Sequence, residues 1–215
     1  MTLIKWLIPC GLAIVLFSCG ERRQEKNADL SASTRDSAAT RGTETANNFA
    51  AVDVSPMDMS YFPVDYPKIR MTSSSEPPPL LRVVYSRPHL QGRRLFPDIL
   101  KHGEPWRLGA NEATELTVYK DLKIESATVK AGRYTLYCIP QLSRWTIVLN
   151  SNTDTWGLKQ DSTLDVHRFD IPISTGNPSL EYFTLVFEKT AKGADLVIAW
   201  DDVIGRLPFL TGQNK

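Results

Sequence analysis

Cysteine is scarce in this chain. Its 215 residues contain three, Cys10, Cys19 and Cys138, and only Cys138 falls in the part that reads as folded. A single thiol builds no internal disulfide framework. Metal-ligand spacings are missing as well. There is no HxH and no HExxH, and His89, His102 and His167 stand far apart, whereas a metal site needs three or four convergent ligands. No metal and no cofactor is expected. The phosphate-cradling patterns G-x-x-x-x-G-K-[ST] and G-x-G-x-x-G are absent, which argues against a nucleotide enzyme. The G-x-S-x-G elbow around a nucleophilic serine is absent too. Charge of one sign is lacking. Lys and Arg total 25 against 24 Asp and Glu, a formal net charge of +1, so there is no basic field to hold nucleic acid. Arg22-Arg23 and Arg93-Arg94 read as solvated surface pairs. Sustained helical periodicity and internal repeats are also missing.

What is present begins with an address. Residues 1–19 read MTLIKWLIPCGLAIVLFSC. Lys5 supplies a positive start. The apolar run from Trp6 to Phe17 is shorter than the roughly 20 residues of a membrane-spanning helix and has the length of a signal-peptide core. Leu16-Phe17-Ser18-Cys19 resembles a bacterial lipobox, with Phe17 larger than the residue usual at its place. The resemblance implies a lipoprotein signal peptide over 1–18, cleavage before Cys19 and lipid attachment to its sulfur. Acyl chains contribute about 0.8 kcal/mol per buried CH₂, so several of them make a firm membrane anchor. A plain secretory signal or a short core helix are the alternatives. A core helix would not be followed by a polar low-complexity tract, and one follows here.

Residues 19–52 are built of Glu, Arg, Ser, Ala, Thr, Asp and Asn, with few large apolar side chains. Such a segment cannot bury enough surface to offset its ordering entropy, and it reads as a disordered, flexible N-terminal tether. Residues 53–79 differ. Met57, Met59, Tyr61, Phe62, Val64, Tyr66, Ile69 and Met71 make a segment that docks on the folded part. Pro63 and Pro67 argue against a regular helix across it. Pro77-Pro78-Pro79 reads as a stiff lead into the first strand.

Residues 80–212 read as the domain. Leu80–Tyr85, Thr114–Tyr119, Leu122–Val129, Gly132–Ile139, Arg144–Asn150, Val166–Ile173, Tyr182–Lys189 and Ala194–Trp200 are predicted strands. Trp145, Ile147 and Leu149 share one face, as do Phe183, Leu185 and Phe187, and Leu196, Ile198 and Trp200. Short strands every 8–12 residues or so, with turn residues between them, predict an all-β fold, an antiparallel β-sandwich or jelly-roll-like barrel. Pro97–His102 is the one helical candidate, a turn or two.

An ordered set of motifs carries a family resemblance. It comprises Tyr85-Ser86-Arg87-Pro88, Gly92-Arg93, Trp106 through Thr114, Ala131 through Leu136, Trp145-Thr146-Ile147 and Trp156-Gly157. Together they resemble the DUF2911 family over roughly residues 56–209. His102 and Pro97 stand where the family pattern has Tyr and Gly. The resemblance implies a β-rich domain of unknown function found in secreted and lipid-anchored proteins, largely of Bacteroidetes. It brings no activity with it.

The candidate chemistry lies between Tyr85 and Glu115. Arg87, Arg107, Asn111 and Glu112 could grip an anionic ligand, arginine recognising carboxylate or phosphate in bidentate fashion. The competing reading is an internal Arg–Glu pair that staples a long loop to the sandwich. Glu112 is the catalytic candidate, a general base if burial raises its pKa. Trp106 and Trp156 are candidate platforms for a sugar or peptide, while Trp145 reads as core. Cys138, in mid-strand, reads as an inert thiol. These residues point to a lipid-anchored module of the bacterial cell envelope, on the periplasmic side or the cell surface. Its partners would be the membrane, through Cys19, and a glycan, peptide, anionic metabolite or protein, with no nucleic acid. The alternatives are an envelope hydrolase using Glu112 with Arg87 or Arg107, and a purely structural module. The balance leans away from an enzyme.

Overall fold

Alternation of large apolar and polar residues sets the strands, because successive side chains on a strand point to opposite faces. In the computed structural model, residues 53–73 and 75–211 are described. The chain divides into two units, 1–46 and 47–215, and all described residues belong to the second. The expected signal peptide, the lipidated Cys19 and the tether over 19–52 lie outside the described residues.

Eleven strands form one sheet: β1 (Met57–Phe62), β2 (Leu81–Ser86), β3 (Thr114–Val118), β4 (Leu122–Ile124), β5 (Ala127–Val129), β6 (Gly132–Pro140), β7 (Arg144–Asn150), β8 (Asp165–Ser174), β9 (Leu180–Thr190), β10 (Gly193–Asp201) and β11 (Val203–Leu210). Their spatial order is β1-β2-β3-β6-β7-β8-β11-β10-β9, with the β4–β5 hairpin attached to β11. Every pairing is antiparallel. The ends of this path come back together. Phe187 donates its N–H to Ser60 Oγ at 3.1 Å, and Leu90 N–H reaches Glu181 O while Phe183 N–H reaches Pro88 O. The sheet is thus nearly closed into a barrel, which satisfies most of its edges. The all-β antiparallel expectation holds.

Several elements depart from the sequence expectation. The segment over 53–79 supplies β1, which pairs with β2 along its whole length, Met57 opposite Ser86 and Phe62 opposite Leu81. It also contains a short helix, α1 (Tyr66–Thr72). Pro67 sits in its first turn, where the missing N–H has no intrahelical partner to lose. The helical candidate over 97–102 is instead a single wide turn over Leu95–Ile99, closed by Leu100 N–H on Leu95 O at 2.9 Å. The single strand expected over 122–129 is a hairpin that turns at Glu125, whose φ is 52°. β11 was not expected from sequence. It pairs with β8 only at Ile204 and Gly205 and with β4 only at Phe209 and Leu210. Pro208 falls between these two patches, where a residue without N–H is tolerated.

The core fills the barrel. Trp145 and Trp200 are almost wholly buried, and Trp106 packs on both and on Phe183, with ring centroids 4.9–6.2 Å apart. Fully burying a large apolar side chain contributes about 1.5–3 kcal/mol, so this aromatic cluster is a main anchor of the long loop between β2 and β3.

Candidate functional site

The loop from Arg87 to Ala113 leaves β2, crosses to β9 and returns to β3. Its first residue is a clasp. Arg87 Nη1 lies 3.2 Å from Asp58 Oδ2 on β1, and Nε donates to Phe183 O on β9 at 3.2 Å. Its guanidinium also sits 5.8 Å from the centre of the Tyr182 ring. Further along, Trp106 is in the core, its indole N–H donating to Gly109 O at 3.2 Å. Arg107 is half-buried, and burial pushes its guanidinium pKa down. Its Nε has no hydrogen-bond partner among the described residues. Asn111, at a φ of 55°, donates to Asp53 just ahead of β1. Glu112 is exposed.

The polar residues singled out from sequence therefore separate. Among the described residues no ion pair joins Glu112 to Arg87 or Arg107. The staple that holds the loop is made by Arg87 with Asp58. Glu112 comes together instead with Trp156. Both line a cleft of about 330 Å³ whose other walls are Met57, Val84, Ala113, Glu115, Asp154 and Thr155. Trp156 is 52% exposed. Arg87, Arg107, Asn111 and Trp106 are not on the cleft wall.

Backbone contacts hold the cleft in shape. Ala113 N–H donates to Thr155 O at 3.1 Å, tying the loop before β3 to the loop after β7. Thr135 Oγ1 donates to Asn152 O at 2.6 Å and anchors the second loop to β6. Gly157 adopts a φ of 72°, and a Cβ there would stand 2.7 Å from Ala113 Cβ. Only glycine allows this close approach in a left-handed conformation.

An ion-pair triad joins two of the cleft residues, Glu115 and Asp154, to Arg133, which is not on the cleft lining. Arg133 Nη2 is 2.7 Å from Glu115 Oε2 and 2.8 Å from Asp154 Oδ1. Asp154 N–H also donates to Glu115 Oε1 at 3.1 Å. The hydrogen bond from Arg133 holds the Asp154 carboxyl below its usual range. Asp154, then Glu115, pushes the Arg133 guanidinium up. Glu115, Arg133 and Asp154 escaped the sequence reading. A local signal existed for two of them, since Glu115 and Arg133 occupy outward positions on adjacent strands that otherwise carry apolar and small residues. Asp154 had none.

The remaining candidates are engaged elsewhere. His89 stacks on Tyr182 with ring centroids 5.3 Å apart, and His102 stacks on Phe96 at 4.2 Å. Cys138 is buried, and burial raises its thiol pKa well above the usual value. No group of three or more metal-ligating side chains occurs among the described residues.

The profile of a family described as proteins of unknown function, DUF2911, matches residues 71–209, more than half of the chain. The chain belongs to the DUF2911 family. The match covers the loop from Arg87 to Ala113, the Glu115–Arg133–Asp154 triad and Trp156, so within this DUF2911 chain all of the cleft except Met57 lies in the family region. No curated protein and no solved structure matches the chain.

Proposed function

We propose that this chain is a lipid-anchored module of the bacterial cell envelope, on the periplasmic side or at the cell surface, that binds a saccharide non-covalently in the Trp156 cleft. The observation that carries this reading is the half-exposed Trp156 indole on the wall of a cleft that also presents the Glu112, Glu115 and Asp154 carboxylates. An exposed indole offers a flat apolar face to a sugar ring, and carboxylates accept hydrogen bonds from hydroxyls. A few placed polar groups beside an apolar wall is the usual make-up of a small-molecule site. The same carboxylates disfavour the anionic metabolite that was one option from sequence. The anchor reading rests on the lipobox-like Leu16-Phe17-Ser18-Cys19. The hydrolase reading, Glu112 assisted by Arg87 or Arg107, loses support because neither arginine lines the cleft.

Binding to an envelope-type glycan array, followed by calorimetry, tests the proposal. Trp156→Ala should weaken saccharide binding at least tenfold, equivalent to about 1.4 kcal/mol, with the melting temperature unchanged because the side chain is half-exposed. Saccharide binding that survives this substitution in full would place the site elsewhere. Cys19→Ala should move the protein from the membrane to the soluble fraction. An unchanged distribution would remove the anchor.

A further inference from the structure

We infer that the ligand of this cleft is a saccharide carrying a free, cationic amine. The inference rests on the saccharide reading above and narrows it. The cleft wall carries three carboxylates, Glu112, Glu115 and Asp154, and no cationic side chain. Off that lining one guanidinium, Arg133, itself 46% exposed, serves both Glu115 and Asp154. Negative charge is left over. Glu112 is exposed and makes no ion pair or side-chain hydrogen bond among the described residues. Asp53 adds a further carboxylate close by, bonded to Asn111, the residue before Glu112. Arg87 and Arg107 add no compensation on the wall, since Arg87 is committed to Asp58 and neither lines the cleft.

The second element is Trp156. An exposed indole offers a flat apolar face on which a sugar ring can lie. An exposed indole beside an unpartnered carboxylate therefore offers one ligand two favourable contacts. The apolar face of the sugar ring lies on the indole, and the ammonium turns toward Glu112. Acetylation would convert the ammonium to a neutral amide and remove the charge contact. A uronic acid or phosphorylated sugar would meet like charge, which lowers affinity and selects against the wrong ligand.

Calorimetry with three oligomers of equal length and linkage tests this directly: glucosamine, N-acetylglucosamine and glucose. The glucosamine oligomer should bind at least tenfold more tightly than the other two. That preference should weaken with added salt, as an exposed charge contact must. Glu112→Gln should erase the preference and leave residual binding equal for all three. Glu104→Gln, an exposed carboxylate paired with Lys101 and off the cleft wall, should retain it. Equal or tighter binding of the acetylated or neutral oligomer overturns the amine inference and leaves the saccharide reading standing. So does a preference that survives Glu112→Gln, or one that Glu104→Gln erodes equally, because general charge attraction would then explain it. Failure of all three oligomers, together with an array on which no saccharide binds, overturns both readings.

Discussion

At the scale of single residues, the cleft depends on one atom that is absent. Gly157 has a φ of 72°, and a Cβ there would meet Ala113 Cβ at 2.7 Å and Arg107 Cβ at 3.2 Å. Ala113 is itself a cleft-wall residue, and Arg107 is not. Gly157→Ala should destabilise the fold by about 2–4 kcal/mol, the sum of a left-handed alanine and an overpacked contact. Urea denaturation measures it, and a loss below about 1 kcal/mol would show that the loop relaxes freely. Residue-level reading of the sequence succeeded with Trp145, Cys138 and Trp156. Their exposure follows from alternation along a strand or from position in a polar loop. It failed to separate Trp106 from Trp156. Both sit in loops, and only the three-dimensional course of the chain takes Trp106 inward to Trp145 and Trp200.

At the scale of elements, the instructive case is the seam between β1 and β9. Few backbone hydrogen bonds cross it, and Arg87 supplies part of the connection from the end of β2, bonding Asp58 on one side and Phe183 O on the other. Arg87→Ala should cost about 1–2 kcal/mol. That is less than a fully buried charged hydrogen bond, because the side chain is a third exposed and partly screened. Hydrogen exchange should accelerate in β1 and β9 and stay unchanged in β6 and β7. Lys101→Ala, on an exposed side chain paired among the described residues with Glu104, should stay within about 0.5 kcal/mol of the parent. Equal protection losses across all strands would mean that the clasp is not local. The elements themselves were unevenly legible. β6 and β7 announced themselves by long runs of large residues. β1 and β11 were hidden by prolines nearby or within, and by dependence on neighbours that come from distant sequence.

At the scale of the whole molecule, stability should be flat across a wide pH range and fall at both ends. Asp121, Asp154 and Asp161 are held below their ordinary 3.8 by hydrogen bonds from Lys130, Arg133 and Thr163. A carboxyl depressed in the folded state contributes stability above its unfolded value and loses it as pH falls through the folded one. The acid limb should therefore begin near pH 4 and be shallow, because these groups are exposed and screened. Tyr85 and Tyr137 are pushed from 10.0 up to about 12, first by burial. Their contribution is complete below the unfolded value and is lost as pH rises from about 10 toward 12. Urea midpoints measured across this range check both limbs. The double variant Tyr85→Phe and Tyr137→Phe should flatten the alkaline one. An alkaline limb that the double variant leaves unchanged would assign it to other groups.

Sequence alone determined the fold class, most of the strands and the faces that become core, because side-chain alternation is a local property with a period of two residues. It also carried the lipobox-like segment and the family resemblance, which are linear patterns. The cleft was decided by tertiary structure. Its wall takes Met57 from β1, Val84 from β2, Glu112 and Glu115 from either side of the start of β3, and Asp154 and Trp156 from the loop after β7. No local spacing encodes that convergence. It follows from strand order, in which β1, β2, β3 and β6 lie side by side although some 75 residues of sequence separate Met57 from Gly132. The same order gives Glu115 to Arg133 rather than Glu112 to Arg107, since Glu115, opposite Thr135, lies diagonal to Arg133 on the neighbouring strand, and such neighbours are within reach of long side chains while near neighbours in a loop need not be.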